Sequence, residues 1–164
     1  MTHSDTNPNH GGLLGIDPGT NTGWFYIDHR TGSYIQSGSY SLKCKHNSKL
    51  VVAERCLNAL LHLCRPSIVI FEAALTVGGR SNGRMLLELQ GLTKLILDKG
   101  QFQYHAVYPS SVKKCVAGNG RATKEKVAEI VSGKWKGAHF KNDHETDAAA
   151  IALWGLKRFE EGEI

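Results

Sequence analysis

The pattern of apolar residues predicts a mixed five-stranded α/β sheet with helices on both faces. Three observations carry this. Three strand-like runs near the start are joined by connections too short for a crossover, so they form an antiparallel meander. Two later β-branched or aromatic runs are each preceded by a helical stripe of the length that carries a chain across a sheet. A short helix and two longer helical patterns close the chain, giving, with the short helix left uncounted, the order β-β-β-α-β-α-β-α-α. The length of 164 residues suits one domain that buries roughly 68–70% of its unfolded surface.

Met1 to Gly12 is polar and lacks the apolar core of a signal peptide. It is read as a disordered tail (residues 1–12) ahead of a domain spanning 13–160. Leu13 to Asp17 is a short buried strand, Trp24 to Asp28 a second, and the Arg30-Thr31-Gly32 turn leads into a third from Tyr34 to about Leu42. Between Ser48 and Arg65, the residues Leu50, Ala53, Leu57, Leu60, Leu61 and Cys64 recur at helical spacing. Pro66 stops that helix.

Ser67 to Glu72, SIVIFE, is a buried strand. Gly78, Gly79 and Gly83 mark a mobile loop. Met85, Leu86, Leu89, Leu92 and Ile96 form a second helical stripe, ended by Gly100. Phe102 to Tyr108 is the fifth strand. A short helix follows Pro109, with Ser110 and Ser111 as cap candidates. Ala122 to about Ser132 and His144 to Phe159 supply the last two helices.

Composition narrows the function. A hydrophobic share of 41% and a charged share of 21% are those of a soluble globule. No apolar run approaches the ~18 residues of a membrane span. Cys44, Cys56, Cys64 and Cys115 show no C-x-x-C pair, which excludes a zinc ribbon or dithiol motif. Free thiols suit a reducing compartment, so a cytoplasmic location is expected. The net charge of +5 is concentrated. Lys113, Lys114, Arg121, Lys124, Lys126, Lys134, Lys136 and Lys141 are opposed between Ser110 and Asn142 only by Glu125 and Glu129, a local balance of +6. Such clustering is the footprint of a phosphate-backbone ligand; a merely solvated basic face is the alternative.

The chemistry-bearing residues are acids at structural ends. LLGIDPGT and SIVIFE both finish a buried strand on a carboxylate, Asp17 and Glu72. Asp-Pro-Gly alone would be turn chemistry. At strand ends beside a topological switch, however, ligands bind. The last helix, NDHETDAAAIALWGL, is apolar except in its first turn. There His144 and Asp147, three apart, share a face. Asp143 competes with His144 for the same role, N-capping being its other explanation, and Glu145 points elsewhere. Asp17, Glu72, His144 and Asp147 form a hard donor set suited to Mg²⁺ or Mn²⁺. Two such ions about 3.5–4 Å apart would serve phosphodiester hydrolysis.

On these residues the sequence resembles the RuvC family of Holliday junction resolvases, within the RNase H-like superfamily. The carriers are GIDPGTNTGW, IVIFEAAL, YPSSVKKCVAGNGRATKEKVAEIV and HETDAAAIALWG, spanning Leu13 to Leu156. The resemblance puts Asp17, Glu72 and Asp147 at the three constant metal-binding acids and His144 at the fourth position, which varies between Asp and His. It makes Lys113 and Lys124 DNA contacts near the scissile phosphate, Lys124 within the catalytic set. Lys114 and Arg121 are added as DNA-binding candidates from the same basic segment. It implies a homodimer that cuts opposing strands of a four-way junction, with the helix from Met85 to Ile96 as the dimer helix. A core-facing helix fits the same leucine spacing. Many members carry an aromatic three residues after the second acid, where this chain has Leu75. That departure bears on base stacking, and with the short chain it resembles bacteriophage-type members.

Three other readings make different demands. An RNase H-like nuclease for RNA, flaps or other branched DNA would use the same chemistry. An actin-like ATPase shares Asp-x-Gly-Thr but needs two domains and a second phosphate loop. A DNA-binding module without catalysis would show a gap in the acidic set, and all four positions are filled.

Overall fold

The computed structural model describes residues 11–45, 47–75 and 81–164, with only the backbone of 81 and 82. Its elements are β1 (Gly12–Asp17), β2 (Asn21–Asp28), β3 (Tyr34–Ser41), α1 (Lys49–Cys64), β4 (Ile68–Glu72), α2 (Ser81–Lys99), β5 (Gln103–Val107), α3 (Pro109–Ala117), α4 (Lys124–Lys134) and α5 (Asp143–Glu160). They form one five-stranded sheet in the order β3-β2-β1-β4-β5. The β1–β2 and β2–β3 pairs are antiparallel, and the β1–β4 and β4–β5 pairs are parallel. The expected mixed sheet is therefore present.

Strand alternation sorts the core into two layers. Leu13 of β1, Phe25 and Ile27 of β2, and Ile68 and Ile70 of β4 pack under α3, α4 and α5. The alternate residues Leu14, Ile16, Trp24, Tyr26, Val69 and Phe71 pack under α1 and α2. Helix α5 lies close on its face because both surfaces are trimmed to small residues. A Cβ on Gly15 would sit 2.5 Å from the Ala148 carbonyl oxygen, and Ala148, Ala149 and Ala152 are fully buried.

Several boundaries differ from expectation, each for a local reason. Gly12 belongs to β1 rather than to a tail, pairing with Asp28 and accepting from the Ser67 N–H at 2.9 Å; the rest of that tail, up to His10, lies outside the described residues. Strand β2 begins at Asn21, three residues early, because Asn21, Thr22 and Gly23 are recruited by pairing with Ser41, Tyr40 and Ser39. Gly83 lies inside α2 rather than in a loop, and Gly78 and Gly79 fall outside the described residues. Helix α3 is capped at Tyr108 with Pro109 in its first turn, so Ser110 and Ser111 are not caps. Proline suits that place because it needs no partner for an N–H it lacks. The N-cap of α5 is Asn142, which accepts from the Glu145 N–H at 3.1 Å, and this removes capping as the role of Asp143.

Candidate active site

Register explains why two acids meet. β1 and β4 run parallel with Ile16 opposite Phe71, so the next residues, Asp17 and Glu72, end the two central strands side by side. Alternation places Asp17 with Leu13 and Gly15, and Glu72 with Ile68 and Ile70, on the face that α5 covers. The turn after Asp17 is tied down. The Thr22 hydroxyl donates to the Gly19 carbonyl at 3.0 Å, and the Leu42 N–H donates to the Thr20 carbonyl at 2.7 Å.

The first turn of α5 comes down on these strand tips. His144 Nδ1 lies 3.2 Å from Asp17 Oδ2. Asp147, one turn on, accepts from Lys124 Nζ at 3.1 Å, with Lys124 supplied by the first residue of α4. Together with Glu72, Lys113 and Ala150 these side chains line one cleft of about 430 Å³. The structure thus brings together Asp17, Glu72, His144, Asp147, Lys113 and Lys124. Lys114 and Arg121 are exposed on the same basic segment but do not line the cleft. Asp143 is exposed and also stands outside it. Glu145 points away from the cleft and is buried against β3, as expected of its direction, though its burial was not foreseen.

The electrostatics are those of a site short of positive charge. Burial pushes the Asp17 carboxyl up to about 6, with Asp147 adding to the rise and the His144 hydrogen bond opposing it. Burial, then the charges of Asp17 and Asp147, push Glu72 up to about 7, against the pull of Lys124 and Lys113. The Asp147 hydrogen bond raises the Lys124 ammonium above its usual range. Clustered carboxylates held this way repel one another unless cations sit among them.

Among the described residues no three His, Cys, Asp or Glu side chains are gathered closely enough, as they stand, to hold one metal ion. The donors instead line an open cleft, where Lys124 and His144 already take up lone pairs of Asp147 and Asp17. The donor chemistry fits a hard divalent cation, with carboxylate oxygens predominating and no thiolate among the cleft residues. Asp17 and Glu72 are carboxyls whose charged form burial disfavours.

A β3-β2-β1-β4-β5 sheet with acids on its two central strand tips and on the helix across them is the arrangement of an RNase H-like nuclease. Residues 13–154 match the family model described as crossover junction endodeoxyribonuclease RuvC. The RuvC of Sulfurovum sp. is 30% identical over 153 residues, covering 89% of this chain and 95% of that protein. The RuvC of a Wolbachia strain from Brugia malayi is 29% identical over 147 residues, covering 86% and 91%. Among solved structures, Thermus thermophilus RuvC in complex with a Holliday junction substrate superposes with a TM-score of 0.78 at 22% identity, covering 94% of this chain and 98% of that one. The chain belongs to the RuvC family.

Proposed function

We propose that this protein resolves four-way DNA junctions by hydrolysing a phosphodiester in each of two opposing strands, with Mg²⁺ or Mn²⁺ bound by Asp17, Glu72, His144 and Asp147. One observation carries the reading. Two strand tips in register deliver carboxylates to the same sheet face, and one helical turn delivers His144 and Asp147 onto them, with Lys124 against Asp147. When bound, one or two such ions supply Lewis-acid activation of water and neutralise charge on the leaving oxygen.

The protein's own groups divide the remaining work. Asp17 and Glu72 project from the ends of paired strands, so their oxygens are fixed with little side-chain freedom to lose. His144 orients the Asp17 carboxylate from one side. Lys124 and Lys113 stand at the cleft as fixed positive charges for the phosphate that enters it. Lys114 and Arg121, outside the cleft, contribute attraction along the backbone on either side of the cut.

Dimerisation is part of the proposal. Leu87, Gly91 and Leu95 recur at intervals of four along α2, the two leucines 40% and 52% exposed. Nothing lies within 4 Å of where a Gly91 Cβ would be. An apolar stripe with a glycine at its centre suits close packing against the same stripe of a second copy. In a smaller hollow that shares Glu72 and Pro109 with the cleft, Leu75 is exposed. It offers apolar contact to a base without an aromatic face, so weak sequence preference is expected.

The test is cleavage of an end-labelled four-way junction beside a flap, a duplex and an RNA–DNA hybrid, with and without Mg²⁺. Paired, Mg²⁺-dependent cuts in opposing strands of the junction support the reading. Equal or faster cleavage of the flap or the hybrid contradicts it.

A further inference from the structure

Glu145 is the one fully buried carboxylate among the described residues, at 1% exposure. It sits between His144 and Thr146 in the first turn of α5 and takes no part in the cleft. A carboxylate removed from water is costly unless its oxygens are hydrogen-bonded. Here each oxygen has its own donor. Oε1 accepts from the Ser39 hydroxyl of β3 at 3.3 Å, and Oε2 accepts from the Lys141 N–H at 3.2 Å. Asn142 Nδ2 donates to Ser39 Oγ at 2.8 Å, while Asn142 Oδ1 accepts from the Glu145 N–H at 3.1 Å. The contacts close a ring through β3, the entry to α5, its cap and its first turn.

An ordinary capping box would have the acid at this position bond the cap residue's own N–H. That arrangement fixes where a helix starts but ties it to nothing else. In this chain the carboxylate instead reaches the sheet, and the place it reaches is specific. Asp17, Gly23 and Ser39 form one row across β1, β2 and β3. Residues opposite one another in a sheet present side chains to the same face. A Cβ on Gly23 would collide with the His144 carbonyl, so the helix rests on the sheet at that glycine. On one side of Gly23, His144 meets Asp17; on the other, Glu145 meets Ser39.

Successive helical residues project about 100° apart. A clamp on residue 145 therefore sets the rotation of α5 about its axis, and with it the directions of residues 144 and 147. We propose that Glu145, gripped by Ser39, is a positioning residue that holds α5 in the rotation at which His144 and Asp147 face Asp17 and Glu72. This rests on the reading of those four as a metal site. Groups that orient ligands without touching the metal typically change metal affinity or activity about 10–100-fold when removed.

The experiment uses Ser39→Ala, Glu145→Gln and Glu145→Ala, with Mn²⁺ as the probe. Binding of Mn²⁺ is followed by electron paramagnetic resonance well below each variant's melting temperature. Junction affinity in Ca²⁺ and single-turnover cleavage are measured on the same samples. Expected are a roughly tenfold weaker Mn²⁺ affinity and a slower cleavage step for Ser39→Ala, with junction affinity within twofold of wild type. Glu145→Ala should lose more, and Glu145→Gln, which keeps an acceptor for the Lys141 N–H, should recover part of the loss. Folded Ser39→Ala and Glu145→Gln with wild-type Mn²⁺ affinity and cleavage rate would overturn the proposal and leave Glu145 a capping residue. If Glu145→Ala does not fold, Ser39→Ala on the exposed edge strand decides the matter. A wild type that binds no Mn²⁺ overturns the metal-site reading as well, whereas one that binds it no better than the variants overturns only this inference.

Discussion

The carboxylate floor of the cleft and its basic wall are built in opposite ways. The floor acids project from paired strand tips beneath a closely packed helix, and Asp17's side chain is only 15% exposed. The wall is carried by α3, α4, their connection and the segment that follows α4, where Lys136 stands, and Lys124's side chain is 65% exposed despite its bond to Asp147. Burial and mutual repulsion hold the floor above ordinary carboxylate pKa values, a cost the fold sustains when no cation neutralises it. The wall meets no such cost, because exposed ammonium groups remain solvated. The difference teaches that the floor sets chemistry by fixed geometry and stored charge, while the wall sets attraction and registers the phosphate.

The largest effects should come from the floor. Asp17→Asn or Glu72→Gln removes interactions contributing several kcal/mol to a charged transition state, so cleavage should fall at least ~100-fold. Junction affinity in Ca²⁺ or without metal should hold or improve, since a negative charge facing phosphate is gone. Single-turnover rates beside gel-shift affinities check both. A variant that loses binding and cleavage in parallel would erase the contrast between floor and wall.

Next comes the helix-borne edge of the floor. His144→Ala should raise the Mg²⁺ concentration needed for half-maximal cleavage about tenfold or more, with Mn²⁺ restoring part of the rate. Asp143→Ala should leave the metal dependence alone. Since Asn142 holds the cap, Asn142→Ala rather than Asp143→Ala should cost about 1 kcal/mol of stability in urea unfolding. A shift in metal dependence for Asp143→Ala and none for His144→Ala would transfer the ligand role.

The floor also predicts a pH dependence of stability. Asp17 rises from 3.8 to about 6 and Glu72 from 4.5 to about 7 on folding. Below pH ~3 both are largely protonated, folded or not, and cost little. As pH rises to about 7 the unfolded chain releases these protons while the folded chain keeps them, so stability falls across that window by roughly a few kcal/mol. In EDTA, urea unfolding from pH 4 to 8 should show wild type losing stability relative to Asp17→Asn/Glu72→Gln. Mg²⁺ should offset that loss at the upper end. Parallel curves in EDTA would mean that the floor is not under-neutralised.

The smallest effects belong to the wall. Lys124→Ala should lower the salt dependence of junction binding by about 0.9 in d log K/d log[salt] and slow cleavage as well. Lys136→Ala should weaken binding while leaving the turnover of bound junction at the wild-type rate. Equal effects of the two on both quantities would reduce the wall to a diffuse field and displace Lys124 from the scissile phosphate.

The floor was legible because its signal is local. Apolar runs ending on Asp17 and Glu72, and polar residues confined to the first turn of a small-residue helix, can be read one segment at a time. The five strands and the mixed character of their sheet followed from connection lengths for the same reason. Less legible were features that depend on tertiary neighbours. Asn21 to Gly23 lack an apolar signature and join β2 only because β3 extends the ladder past the end of β1, Gly23 alone being paired on both sides. Tyr108 caps α3 through its backbone, which no side-chain preference announces. Glu145 looks like any acid near a helix start, and its burial depends on Ser39, more than a hundred residues away in sequence. Asn three residues before Glu was the available clue, since it is close to a capping box in form. Gly23, by contrast, is legible only after the helix is seen resting on it.

The most direct test of the division between floor and wall is single-turnover cleavage of a four-way junction by Glu72→Gln and Lys136→Ala, side by side, at saturating enzyme in Mg²⁺. Glu72→Gln is expected to bind the junction at least as tightly as wild type and leave it uncut, while Lys136→Ala, once bound, cuts at the wild-type rate. Cleavage by Glu72→Gln at near the wild-type rate would contradict the account.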